Sequence, residues 1–256
     1  MEDMHRRISF RNGRGLRLVG DLTTPNGAGP FPAVVILHGF GHTRASRRYK
    51  YRSLIGTLVR AGCAVLWFDM TGVGNSQGSI TELTPHAGVD DAITAVRFLR
   101  KQPEVDRERI GIFGNSFGGV TGLVAAAKQP GGIGALVLKA PAYHWSGIRV
   151  ADLRELPPKT VWRGRRGRYR TIVRGRDFSR SGRELVSPSL VRRITAPTVI
   201  LHGSTDRIEY ARKLHQLLSS PKKLSVFQGG GHQLRGTKEE AQRVEREAAD
   251  WFRKYL

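Results

Sequence analysis

Two rhythms of apolar and polar positions alternate along this chain. Short unbroken apolar runs at residues 33–38 (AVVILH) and 63–68 (CAVLWF) are strand length, the first bounded by Pro32 and Gly39. Between them, Leu54, Ile55, Leu58 and Val59 share one face of a helix predicted over 49–61, and Val89, Ile93, Val96 and Leu99 recur at helical spacing over 89–99. The same pattern predicts strands at 7–10, 16–22, 109–113, 135–138, 197–201 and 224–227, and helices at 120–128 and 238–255. Asn12-Gly13-Arg14-Gly15 joins the first two strands as a hairpin signal. Thr237, with Glu240 three residues on, reads as the N-cap of the last helix. Apolar strands alternating with amphipathic helices imply the α/β class, with a mostly parallel sheet covered on both faces and an antiparallel hairpin opening it.

The rhythm fades from Ala142 to Arg193, where arginine crowds in, as in Trp162-Arg163-Gly164-Arg165-Arg166-Gly167-Arg168-Tyr169-Arg170. Interleaved aromatics and prolines mark a folded excursion. An excursion between sheet strands is where a lid would sit. The expected organisation is a core of residues 1–141 and 194–256, interrupted by a cap at 142–193.

Composition changes this picture in two places. The chain of 256 residues carries 43 Lys+Arg against 21 Asp+Glu, a net charge of +22. Close to half of that excess lies in the insertion. Such a balance attracts anionic partners non-specifically, and it is read here as a solvated basic surface with no specific nucleic-acid partner. No helix-turn-helix, zinc-ligand or RNA-binding motif is visible. The single cysteine, Cys63, sits in an apolar run and reads as a buried structural thiol. No apolar run approaches the ~20 residues of a membrane span, and no apolar signal core opens the chain. A cytoplasmic location is expected. No metal or cofactor is implied: Gly72-Val73-Gly74 follows a strand, but Gln77 breaks the dinucleotide pattern.

The strongest chemical signal is Gly114-Asn115-Ser116-Phe117-Gly118, a G-x-S-x-G placed between an apolar strand and a helical run. A serine nucleophile in this setting sits on a tight strand-to-helix turn, and the glycines remove side chains that would collide there. A neutral hydroxyl needs a base. Asp206 follows the strand at 197–201, and His232 follows the strand at 224–227 after a run of glycines, so acid and base come after the serine in that order. Asp206 would hold the imidazole tautomer and His232 would move the proton. Asp206 also reads as the N-cap of a helix starting at Arg207, and both roles can hold at once. Backbone N–H groups of Phe117 and Phe40 are the expected oxyanion donors, Phe40 lying in the glycine-rich loop after the strand at 33–38. Trp145 and Trp162 of the insertion, with Phe40 and Phe117, are candidates for an apolar substrate pocket. Of the other histidines, His38 and His202 stand at strand ends and read as structural.

The chain resembles the α/β-hydrolase superfamily over nearly its full length. The resemblance rests on His38-Gly39-Phe40, the turn Asp69-Met70-Thr71-Gly72-Val73-Gly74-Asn75-Ser76, the elbow around Ser116, His202-Gly203-Ser204-Thr205-Asp206 and Gly231-His232. Within that superfamily it is most similar to bacterial carboxylesterases of the cinnamoyl/feruloyl esterase type. The resemblance implies an eight-stranded, mostly parallel sheet and a serine esterase acting on a small-molecule ester, without cofactor. Asn115 and Phe117 depart from the residues common in those relatives, and the arginine-rich cap departs further. Two alternatives stay open: another triad hydrolase (peptidase, thioesterase or carbon–carbon hydrolase) acting on anionic substrates, or a basic binding protein with a vestigial site. Association as a homodimer is also left open.

Overall fold

The structure is a computed structural model that describes residues 4–44, 48–141, 160–163, 169–172, 185–234 and 237–256, with backbone alone at 48–50, 160–163 and 169–172. Eight strands form one sheet in the order β1-β2-β4-β3-β5-β6-β9-β10. They are β1 (Met4–Arg11), β2 (Arg17–Thr24), β3 (Phe31–Leu37), β4 (Ala64–Asp69), β5 (Val105–Asn115), β6 (Ala135–Lys139), β9 (Thr198–Gly203) and β10 (Lys222–Phe227). β1 pairs antiparallel with β2, and β2 with β4; every other pairing in this sheet is parallel. This is the α/β-hydrolase architecture, opened by the hairpin that the sequence predicts.

Alternation along the strands divides the core into two layers. Val34, Ile36, Val65 and Trp67 face α1 (Arg48–Arg60) and the C-terminal α6 (Lys238–Tyr255). Ala33, Val35, Leu37, Leu66 and Phe68 face α2 (Pro85–Leu99) and α3 (Phe117–Lys128), joined on that side by α4 (Pro188–Val191) and α5 (Ile208–Leu217). Thr237 Oγ1 accepts from Glu240 N at 3.1 Å, so α6 starts at the expected cap. Cys63 is buried in the α1 layer, and burial pushes its thiol up to about 11. No helix among the described residues is long and apolar enough to cross a membrane.

Several elements run beyond their apolar signal. β5 begins at Val105, but residues 107–109 are exposed and charged, so only its second half shows an apolar run. β10 likewise opens on exposed Lys222 and Lys223 at the sheet edge, where lysine discourages pairing with another chain. α2 starts four residues early because Thr84 caps it, its hydroxyl accepting from Ala87 N at 3.2 Å. Within the insertion, β7 (Thr160–Arg163) pairs antiparallel with β8 (Tyr169–Ile172). Arginine-rich strands carry no period-two apolar pattern, so the sequence predicts no hairpin here. Most of the residues expected as the cap, Trp145 among them, lie outside the described residues, as does the side chain of Trp162.

Candidate active site

The site gathers at the C-terminal ends of the central parallel strands. β5 ends at Asn115 and α3 begins at Phe117, leaving Ser116 alone to turn the chain. Its φ of 55° and ψ of −109° lie where a side chain is strained, a cost on the order of 1–3 kcal/mol. The flanking glycines make this turn possible. A Cβ at Gly114 would stand 2.4 Å from Gly118 O, and one at Gly118 would stand 2.2 Å from Leu37 O. Ser116 N donates to Lys139 O at 2.9 Å, which fixes the turn against β6.

Two loops bring the other members. After β9 the chain turns through Ser204 and Thr205, and after β10 through Gly229 and Gly230. Ser204 N donates to Phe227 O at 3.0 Å, and Thr205 donates to Gly230 O from both its N (3.1 Å) and its Oγ1 (2.9 Å). A Cβ at Gly203 would stand 2.1 Å from Gly230 O, so glycine there permits the two loops to touch. The result is one continuous chain of hydrogen bonds. His232 Nδ1 lies 2.6 Å from Asp206 Oδ2, and His232 Nε2 lies 2.9 Å from Ser116 Oγ. An Nδ1–H tautomer donates to the carboxylate and leaves Nε2 to accept the serine proton. The three residues singled out in the sequence therefore meet, in an arrangement able to take a proton from Ser116.

Asp206 is not the helix cap. Arg207 occupies that position in a left-handed conformation (φ 47°) with no side-chain capping bond, and α5 follows it. The carboxylate is thereby left to His232.

Two further residues hold the set together. His202 is buried, and its Nε2 lies 2.5 Å from Asp206 O. Because a carbonyl only accepts, His202 carries its proton on Nε2. Its Nδ1 is buried with no hydrogen-bond partner among the described residues. Protonating it would bury an N–H without an acceptor. Burial accordingly holds the His202 pKa below its ordinary 6.5, and proximity to His232 adds to this, outweighing the attraction of Asp206. The unfolded chain binds the extra proton first, so this histidine's contribution to stability is complete above about pH 6.5 and is lost as pH falls below it. The urea midpoint is expected to drop between pH 7.5 and 5.5 more steeply in wild type than in His202→Gln. Parallel profiles would contradict this.

Lys139, at the end of β6, is the second. Its ammonium is buried, 2.7 Å from Gln233 O and 3.5 Å from Asn115 Oδ1. It thus ties the residue after His232 to the residue before Ser116. A strand-end lysine offers no sequence signal of this role except its place opposite Asn115 in the parallel register. Lys139→Met is expected to lower kcat about tenfold with KM little changed, and Lys139→Gln, which keeps a donor, to restore part of it. Equal losses in both variants would remove the positioning role.

On the oxyanion side, Phe117 opens α3, and the first N–H groups of a helix have no intrahelical acceptor. Phe40 lies beside it, the two rings meeting edge-to-face at 5.4 Å. The ring of Phe117 is packed in the core. It is 1% exposed, and a Cβ on Gly88 would stand 2.8 Å from it, so it packs between α3 and α2. The turn after β4 is likewise filled from within: Asp69 accepts from Asn75 N at 3.0 Å and from Arg44 N at 2.5 Å. A Cβ at Gly74 would fall 2.2 Å from the Asp69 carboxylate.

Fold and site geometry together place the chain in the α/β-hydrolase class. Residues 14–162, more than half of the chain, match the X-Pro dipeptidyl-peptidase (S15) family, and the chain belongs to that family. It is 34% identical over 126 residues to a thiohydrolase of Aspergillus aculeatus, an alignment covering 49% of this chain and 38% of that one. Across the first three curated relatives the match spans only 30–38% of their length. Among solved structures, dienelactone hydrolase from Anabaena variabilis superposes over 100% of both chains with a TM-score of 0.73 and 23% identity. Est1E of Butyrivibrio proteoclasticus, solved with ferulic acid bound, superposes over 95% of this chain and 98% of its own, with a TM-score of 0.77 and 22% identity.

Proposed function

We propose that the protein is a serine esterase that hydrolyses small carboxylic esters through an acyl-enzyme, with Ser116 as nucleophile, His232 as general base and acid, and Asp206 as orienting carboxylate. The hydrogen-bonded chain from Ser116 Oγ through His232 to Asp206 Oδ2 carries this reading. Ser116 Oγ attacks the ester carbonyl as His232 Nε2 takes its proton. The oxyanion is held by the Phe117 and Phe40 N–H groups. Collapse expels the alcohol, protonated by His232, and leaves an acyl group on Ser116. Water, deprotonated by the same nitrogen, then releases the acid. Substrate choice is assigned to the insertion at 142–193, with Trp145 and Trp162 as its apolar contacts.

Membership of the S15 family favours a second reading, a peptidase acting on X-Pro substrates. The two separate on a panel of p-nitrophenyl acetate, methyl ferulate and Gly-Pro-p-nitroanilide. An ester is more electrophilic than an amide and has a better leaving group. The esterase reading expects kcat/KM for at least one ester to exceed that for the anilide by 100-fold or more, equivalent to roughly 2.7 kcal/mol of transition-state stabilisation. The reverse order would establish the peptidase reading in its place.

A further inference from the structure

Away from the triad, on the α1 face of the antiparallel edge, lies a cavity of about 460 Å³ that neither the fold nor the proposed reaction uses. It is within the size range of ligand sites. Strand register builds its floor as two rows. His5 pairs with Thr23 and Thr23 with Val65; Arg7 pairs with Asp21 and Asp21 with Trp67. Arg52, Ile55 and Gly56 of α1 and Arg44 of the loop after β3 close its sides.

Two properties of this wall select an occupant. The first is charge. Three arginines and one carboxylate, Asp21, line it; Arg44 already contacts Asp21, and Arg7 approaches it at 3.7 Å. Arg52 makes no ion pair among the described residues. The second is shape. Ile55, Val65 and Trp67 give an apolar lining, and Gly56 stands in the middle of α1 with no side chain to occupy the space. A Cβ there would stand 3.1 Å from the guanidinium of Arg60. Glycine in a helix interior is unfavourable, and here its effect is to keep the cavity open.

We infer that this cavity binds an amphipathic organic monoanion, a carboxylate with an apolar body. The carboxylate meets Arg52, and the body lies along Ile55, Val65 and Trp67. Asp21 disfavours a second negative charge. This site is independent of the ester-hydrolysis reading, since it shares none of the residues proposed to act there.

The test is isothermal titration with 2-naphthoate and its neutral counterpart 2-naphthamide. Wild type is expected to bind naphthoate saturably and at least tenfold more tightly than the amide, a preference that fades as salt rises. Arg52→Gln removes the cation and Gly56→Leu fills the space; both changes lie on the outer helix, and both are expected to weaken naphthoate binding tenfold or more. Circular dichroism melting at or above the wild-type temperature shows that each variant is folded. Should Gly56→Leu not fold, Arg52→Gln decides alone. No saturable binding, equal affinity for acid and amide, or wild-type affinity in folded Arg52→Gln or Gly56→Leu would overturn the inference.

Discussion

Replacing Ser116 with alanine is expected to lower kcat for p-nitrophenyl acetate by about 10⁵–10⁶-fold, the scale on which losing the nucleophile of a triad abolishes the covalent route. The variant should also take up no fluorophosphonate, read by intact mass. Stability should hardly change. Alanine inherits the same strained backbone at φ 55°, and the lost side chain gives up one partly exposed hydrogen bond to His232. Ser116→Gly makes the sharper comparison. It is expected to be as inactive, yet about 1 kcal/mol more stable, because glycine adopts positive φ without the Cβ clash. A more stable but inactive glycine variant would show that strain is maintained at this turn for the sake of the hydroxyl's position. Retained turnover and labelling in Ser116→Ala would place the nucleophile elsewhere and remove the role proposed for Ser116.

What the sequence reveals of this site follows from where its parts stand. Ser116, Asp206 and His232 each come just after an apolar run, and the ends of parallel strands converge in space, so three distant residues could be read as neighbours. The glycines at 114 and 118 added a steric requirement that few other turns share. The supporting residues had no such marker. His202 and Lys139 look like ordinary strand ends. Their roles exist only once β9 and β6 lie side by side and their side chains reach the neighbouring loops. The ring of Phe117 adjoins the nucleophile in sequence, but helix geometry turns it toward α2 and the core. The basic cavity was invisible for a related reason. His5, Thr23 and Val65 become one row only through the register of three strands. Polar strand segments, such as the start of β5 and the arginine-rich β7 and β8, lack the apolar alternation from which strands are recognised.

Asp206→Asn is expected to lower kcat by about 10⁴-fold with KM within a few-fold of wild type. The carboxylate accepts from His232 Nδ1 at 2.6 Å and so keeps Nε2 free to take the serine proton. An amide nitrogen presented to the ring favours the opposite tautomer, with the proton on Nε2 facing Ser116 Oγ, where it cannot act as a base. Phosphonylation of Ser116 should slow in parallel, because that reaction draws on the same base. The fold should persist, since the backbone at Asp206 is held independently by His202 at 2.5 Å and by the clamp between Thr205 and Gly230. His202→Gln isolates that second effect. It disturbs the backbone that carries the carboxylate but leaves the charge in place, so its loss of kcat should be on the order of tenfold, well short of that in Asp206→Asn. If Asp206→Asn cost less than tenfold, His232 would be oriented by some other group, and the role assigned to Asp206 would be wrong.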